Sequence, residues 1–204
     1  MTRFTDIATA FHAGLAYADF MNRTAERLGN VAPEDEPART RFGYLPINFQ
    51  RSTRIHRTFR MPDDLATAVA AIEAPQFWML LTEDWCGDSA QSLPIIARIA
   101  EANPHITLRI LDRDDHIDIM DRYRTNGGRS IPKLVAFDGD GNECYSWGPR
   151  PEPAARLVSE LVAEGVDKDE RNKRLHLWYG RDRGATIAAE LTAVLRRHLR
   201  ESAA

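Results

Sequence analysis

The stretch Gln76–Pro94, QFWMLLTEDWCGDSAQSLP, limits what this chain can fold into more than any other. Phe77-Trp78-Met79-Leu80-Leu81 is an apolar run with the length and composition of a buried strand. It stops at Thr82-Glu83-Asp84, polar residues that suit a strand end reaching the surface. From Ala90 to Ala102, Leu93, Ile96, Ile99 and Ala100 then recur at helical spacing. Cys86 therefore sits where a strand hands over to a helix. Backbone N–H groups and the positive end of the helix dipole favour a thiolate there, which predicts a lowered thiol pKa. Asp88 acts the other way, because a carboxylate two residues from the sulfur repels the thiolate. Arg129 and Arg150 are the candidates to compensate it. A lone cysteine can instead be a small buried hydrophobe, but the strand-end position points to a reactive thiol.

The rest of the composition narrows the classes. A chain of 204 residues, 43% hydrophobic and 28% charged, suits a soluble globular protein with a real core. A net charge of −3, with arginines dispersed among acids, offers no nucleic-acid footprint. Cys86 and Cys144 are the only cysteines, and neither belongs to a disulfide framework or a metal-ligand spacing. The six histidines are scattered. No apolar stretch approaches the ~20 residues that span a bilayer, and MTRFTDIATAFHAGLAYADF lacks a leader pattern. The expectation is a cytoplasmic protein with no nucleic-acid or membrane partner.

Along the chain, Thr5 to Leu28 reads as one amphipathic helix stopped by Gly29, and Asn30 to Ile47 as a proline-containing loop or linker. Asn48 to Arg60 places Arg51, Arg54 and Arg57 three apart. On a helix they share a basic face, either a solvated surface or a ligand-facing wall beside the cysteine. Pro62-Asp63-Asp64 opens a short helix through Ala74. Ile106 to Leu111 alternates as a strand, and Asp114 to Tyr123 is a helix candidate. Lys133–Phe137 and Glu143–Trp147 form a hairpin across Asp138-Gly139-Asp140-Gly141-Asn142. Helices follow over Pro153–Glu164, Asp169–Tyr179 and Thr186–Leu199. Leu175, Leu177 and Trp178 are expected to pack the terminal helices on the central unit, with Trp178 and Tyr179 as packing aromatics. This order suits a central mixed sheet covered by helices on both faces.

Two separated motifs carry a resemblance. Trp85-Cys86-Gly87-x-Ser89 with Pro94 resembles the thioredoxin active site and its helix-kinking proline. Ser130-Ile131-Pro132, leading into Lys133-Leu134-Val135-Ala136-Phe137, resembles that family's cis-proline loop entering a strand. EDWCGDSAQSLP with GGRSIPKL and WGPRP is similar to a bacterial thioredoxin-like subfamily, over about Leu65 to Val162. The resemblance implies an α/β, thioredoxin-like fold: a central mixed β-sheet flanked by helices, with N- and C-terminal helical extensions. Residues 1–60 would form the first extension and linker, 61–165 the thioredoxin-like domain, and 166–204 helices packed on the same unit.

The departures from that family shape the functional expectation. Ser89 stands where a dithiol oxidoreductase has its resolving cysteine, Asp88 where thioredoxin has proline, and Leu80 where it has a buried aspartate. One nucleophile remains. The resemblance then implies Cys86 as the catalytic thiol, with Ser89 placed to hydrogen-bond it. Trp85, Gly87, Asp88, Arg129, Ile131, Pro132 and Arg150 would bind substrate, and Pro132 would position the Ile131 backbone to hold an extended chain. Cys144, at the hairpin end directed away from the groove, is expected to be structural. The activity implied is single-cysteine thiol–disulfide exchange without a cofactor, on a disulfide-containing protein or a low-molecular-weight thiol. A binding module using the same groove without turnover is the alternative. A third reading follows from Cys86-Gly87-Asp88-Ser89, which resembles the C-G-x-S of monothiol glutaredoxins and implies glutathione and an iron–sulfur cluster. Trp85 and Asp88 speak against that one.

Overall fold

Strand β1 (Gln76–Thr82) pairs along both of its edges, parallel with β2 (Ile106–Asp112) and antiparallel with β3 (Lys133–Asp138). β4 (Glu143–Trp147) completes the order β2-β1-β3-β4. The computed structural model in which this is seen describes residues 4–202. Successive side chains of a strand point to opposite faces. Accordingly Trp78 and Leu80 enter one apolar cluster, while Met79 and Leu81 enter another. Both faces are covered, which is why the run is continuously apolar rather than alternating. The mixed sheet flanked by helices is the fold class that the element order implied.

The first face is covered by α5 (Asp63–Ala70), α6 (Gly87–Glu101) and α10 (Ala185–Ser202), through Leu65, Val69, Leu93, Ile96, Ile187, Leu191 and Leu195. The second is covered by Phe4 of a 3-10 turn (Phe4–Asp6), Phe11 of α1 (Ala8–Ala13) and Ile119 and Met120 of α7 (Ile117–Met120). Phe4 stacks on Phe77 with ring centroids 4.6 Å apart. α4 (Leu45–Thr58) lies along α6. Pro94 has no N–H for the Ala90 carbonyl one turn before it; the Ser52 hydroxyl of α4 donates to that carbonyl instead, at 3.4 Å. A proline inside a helix is thus matched by a serine from its neighbour.

Three elements differ from expectation. The single helix over 5–28 is interrupted at Leu15, whose N–H and C=O bond the Ile110 backbone at 2.9 and 2.8 Å; α2 (Tyr17–Leu28) starts after it. The unpaired edge of β2 offers those partners, and a helix running through Leu15 would leave them unmet. Gly14 lets the chain approach β2 closely, since a Cβ there would lie 2.7 Å from Leu111 Cδ1 and 3.1 Å from the Ile110 carbonyl oxygen. The loop over 30–47 contains α3 (Ala38–Gly43) and the start of α4, which takes Pro46 in its first turn. The helix expected over 114–123 shrinks to α7 and a 3-10 turn (Asp121–Tyr123). The Asp114 N–H is committed to Glu83 Oε1 at 2.8 Å, which holds the start of that segment as a loop.

After the hairpin come α8 (Glu152–Ala163) and α9 (Lys168–Asp182). Asp167 caps α9, its side chain accepting from the Asp169 and Glu170 N–H groups at 3.0 Å each. Leu175 and Tyr179 of α9 join the first apolar cluster and Trp178 packs against it, whereas Leu177 stays 54% exposed. No helix among the described residues is long and apolar enough to cross a membrane.

Candidate functional site

Cys86 caps the N-terminus of α6 in an extended conformation (φ −78°, ψ 118°). Its thiol donates to the Ile131 carbonyl at 3.5 Å, and the Ile131–Pro132 peptide is cis. Cys86 is among the residues that line a pocket of about 500 Å³. The expected lowering of its pKa does not hold. Burial pushes the thiol up to about 11, and the Asp88 carboxylate adds to that. The Ser89 hydroxyl and the Ser89 and Asp88 N–H groups favour the thiolate, but they do not outweigh burial. At 8% exposure, Cys86 has too little water around it for the helix terminus to dominate. Ser89 is itself 2% exposed and its Oγ accepts from Thr82 Oγ1 at 2.5 Å.

Asp88 is held from two sides. Arg150 reaches its Oδ2 at 2.7 Å, and the Tyr179 hydroxyl donates to its Oδ1 at 2.8 Å. Of the two arginines considered as its partner, Arg150 therefore fills the role, while Arg129 pairs with Asp121 at 2.6 Å. Gly148 makes the Arg150 contact possible. Its φ of +104° favours glycine, and a Cβ there would lie 2.4 Å from the Pro132 carbonyl oxygen. The two proline loops abut closely, and Arg150 is delivered to the start of α6.

Most of the expected binding residues meet here. Trp85, Gly87, Asp88, Arg129, Ile131 and Arg150 line the pocket with Cys86. Ser89 lines a separate, smaller cavity with Glu83 and Asp84, and Pro132 is not on the lining of the Cys86 pocket. The Trp85 ring carries two guanidinium groups, Arg41 at 4.7 Å and Arg113 at 5.2 Å from its centroid. Cys144 lies on β4 away from the pocket, its thiol donating to the Asn142 carbonyl at 3.6 Å. Burial, with Asp138 and Glu143, pushes it up to about 12.

Besides Tyr44 and Arg113, the missed residues on the lining come mainly from α9. Lys168, Asn172, Leu175 and His176 line the pocket, and Tyr179, expected only as a packing aromatic, reaches Asp88. Their spacing marks one helical face, but that pattern carries no signal of which surface it covers. His176 lies against Gly87, where a Cβ would sit 2.9 Å from its Cε1 and Nε2. The basic face of α4 divides. Arg51 enters the Cys86 pocket, Arg54 lines a separate cavity of about 610 Å³ with Arg60 and Arg183, and Arg57 lines one of about 280 Å³. Among the described residues, no group of three or more His, Cys, Asp or Glu is placed to hold a metal ion.

Comparison with known proteins points to the fold. The family whose sequence model matches, over residues 44–165, is described as thioredoxin. A crystal structure of a protein of unknown function from Pseudomonas aeruginosa is similar at 17% identity and a TM-score of 0.57, covering 100% of both chains. An HIV epitope-scaffold is similar at 18% identity and a TM-score of 0.59, over 93% of this chain and 96% of its own. No curated protein matches.

Proposed function

We propose that this chain, which belongs to the thioredoxin family, carries out single-cysteine thiol–disulfide exchange through Cys86. The observation that carries the reading is Cys86 on the lining of a pocket, with its sulfur 3.5 Å from the Ile131 carbonyl. A disulfide entering the pocket meets both the nucleophile and the loop that would align it. The Cys86 thiol first gives its proton to solvent. The thiolate attacks one sulfur of R–S–S–R, the S–S bond breaks, and R–S⁻ leaves as a mixed disulfide forms on Cys86. A second small thiol, as thiolate, attacks the R sulfur and releases Cys86. Ser89 cannot replace that external thiol, because its hydroxyl cannot resolve a disulfide.

The raised pKa sets the pace. With a value of about 11, roughly one thiol in ten thousand is ionised at pH 7. Exchange is slow at neutral pH, and the mixed disulfide persists because a thiol of high pKa is a poor leaving group. Two free cysteines suit a reducing cytoplasm. Either a disulfide-containing protein or a low-molecular-weight thiol could be the partner. A second reading, a binding module without turnover, is favoured by the thiol's donation to the Ile131 carbonyl, since that contact needs the protonated form.

Intact-mass measurement after incubation with small disulfides separates the two. Exchange predicts one adduct per chain, mapped to Cys86, absent in Cys86→Ser and removed by added thiol. Its rate should rise about tenfold per pH unit between pH 7 and 10. No adduct at any of these pH values would leave the binding reading standing.

A further inference from the structure

The pocket over Cys86 holds more positive charge than the protein itself neutralises. Among the described residues, Asp88 is the one carboxylate on its lining, and Arg150 already occupies it. Arg113 and Arg129 have their own partners in Asp114 and Asp121. Arg51 and Lys168 have no carboxylate partner among the described residues, and Arg51 is half-buried. The contacts shown for the Arg51 guanidinium are neutral, with Asn48 Oδ1 and His176 Nε2 both at 3.2 Å from its Nη1. A guanidinium only donates, so His176 Nε2 accepts and the ring proton sits on Nδ1. That Nδ1–H is buried without an acceptor, as is Arg150 Nε–H. Cationic side chains on the lining therefore outnumber its carboxylates. A half-buried guanidinium without a counter-ion is costly unless a ligand completes it.

We infer that the ligand brought to Cys86 is a low-molecular-weight thiol or disulfide carrying a carboxylate, with Arg51 as its principal anchor and Lys168 as a second cation. The cavity of about 500 Å³ is of the size that takes small molecules. α4 contributes Arg51 and α9 contributes Lys168 to the same lining as Cys86. For its sulfur chemistry this inference rests on the exchange reading; for its selectivity it rests on the charge of the pocket alone.

Two small alkylating reagents of similar size test the charge without needing exchange. Iodoacetate is anionic and iodoacetamide neutral. Their rate ratio at Cys86, read by peptide mass spectrometry and normalised to the same thiol in denatured protein, should rise about tenfold in the folded state. Cys144, beside Asp138 and Glu143, should show the opposite preference. Arg51→Gln should remove most of the Cys86 preference, whereas Arg51→Lys should keep much of it. Salt should weaken it. An unchanged ratio at Cys86, a ratio insensitive to Arg51→Gln, or no labelling of Cys86 before unfolding would each overturn the inference. In a second arm, exchange is followed with glutathione disulfide, neutral hydroxyethyl disulfide and cationic cystamine. Preference for glutathione disulfide, lost in Arg51→Gln, supports both conclusions. Equal rates for all three keep the exchange reading and sink the anionic ligand. No reaction with any of them, alongside a raised iodoacetate ratio, sinks exchange and keeps the anion site.

Discussion

At Cys86 the local chain and the tertiary surroundings oppose each other. The helix terminus and the Ser89 hydroxyl favour the thiolate, while burial and then Asp88 favour the thiol, and the second pair prevails. Replacing Asp88→Asn tests this balance. The amide can still accept from Tyr179, but it no longer repels the thiolate, and Arg150 is left as an unmatched cation. The Cys86 pKa, read from the pH dependence of alkylation, should fall by about one pH unit or more. Denaturant unfolding should show a loss of about 1–3 kcal/mol from the broken charged contact. A pKa that does not fall would mean Asp88 has no electrostatic hold on the sulfur. Glu83 offers a separate test, because burial pushes its carboxyl from 4.5 up to about 7, with Asp112 and Asp114 adding repulsion. An acid whose folded pKa exceeds its unfolded one binds its proton more tightly when folded. Its stabilising share is full below about pH 4.5 and is lost as pH rises from 4.5 to about 7. Glu83→Gln keeps an acceptor for the Asp114 N–H. It should flatten stability over that window and raise it at pH 8 by about 1–3 kcal/mol. A variant less stable at pH 8 would refute this.

At the scale of elements, the site depends on α9 lying over the start of α6. Gly87 is the contact that permits it, since a Cβ there would be 2.9 Å from the His176 ring. Gly87→Ala should destabilise the protein by about 1–3 kcal/mol through overpacking, although alanine is the better helix former. In a His176→Ala background the same change should become neutral or slightly stabilising. A penalty that persists there would place the conflict in the backbone of the motif rather than in its packing against α9. The interruption at Leu15 follows a similar logic, with an edge-strand partner overriding a sequence that is helical on both sides.

For the whole molecule, the family match over residues 44–165 and the folding unit do not coincide. Residues before 44 supply Phe4, Ile7 and Phe11 to one sheet face. Residues after 165 supply Leu175, Tyr179, Ile187, Leu191 and Leu195 to the other. A chain limited to 44–165 loses cover on both faces, and the side chains left bare each contribute about 1.5–3 kcal/mol when buried. With net stabilities of about 5–15 kcal/mol, that fragment should show no cooperative thermal transition and should aggregate, whereas the full chain unfolds in one step by circular dichroism. A cooperative transition in the fragment would show that the terminal helices are accessory to folding.

How much of this was legible in the sequence differs by feature. The strand around Leu80, the helix after Cys86 and the hairpin at 133–147 follow from local apolar period and turn residues, which each segment carries in itself. So does the lack of a second cysteine in the motif, since Ser89 is a serine whatever surrounds it. The Asp88–Arg150 pair could be named only as one of two candidates. Choosing between Arg150 and Arg129 needed the approach of two loops that Gly148 allows. The α9 residues from Asp169 to Tyr179 were visible as a helix, yet a helical face carries no address, and only packing placed His176 on the lining that holds Cys86. The thiol pKa was the least legible. Its local determinants all lie within four residues of Cys86, but its largest one is the water excluded by segments dozens of residues away.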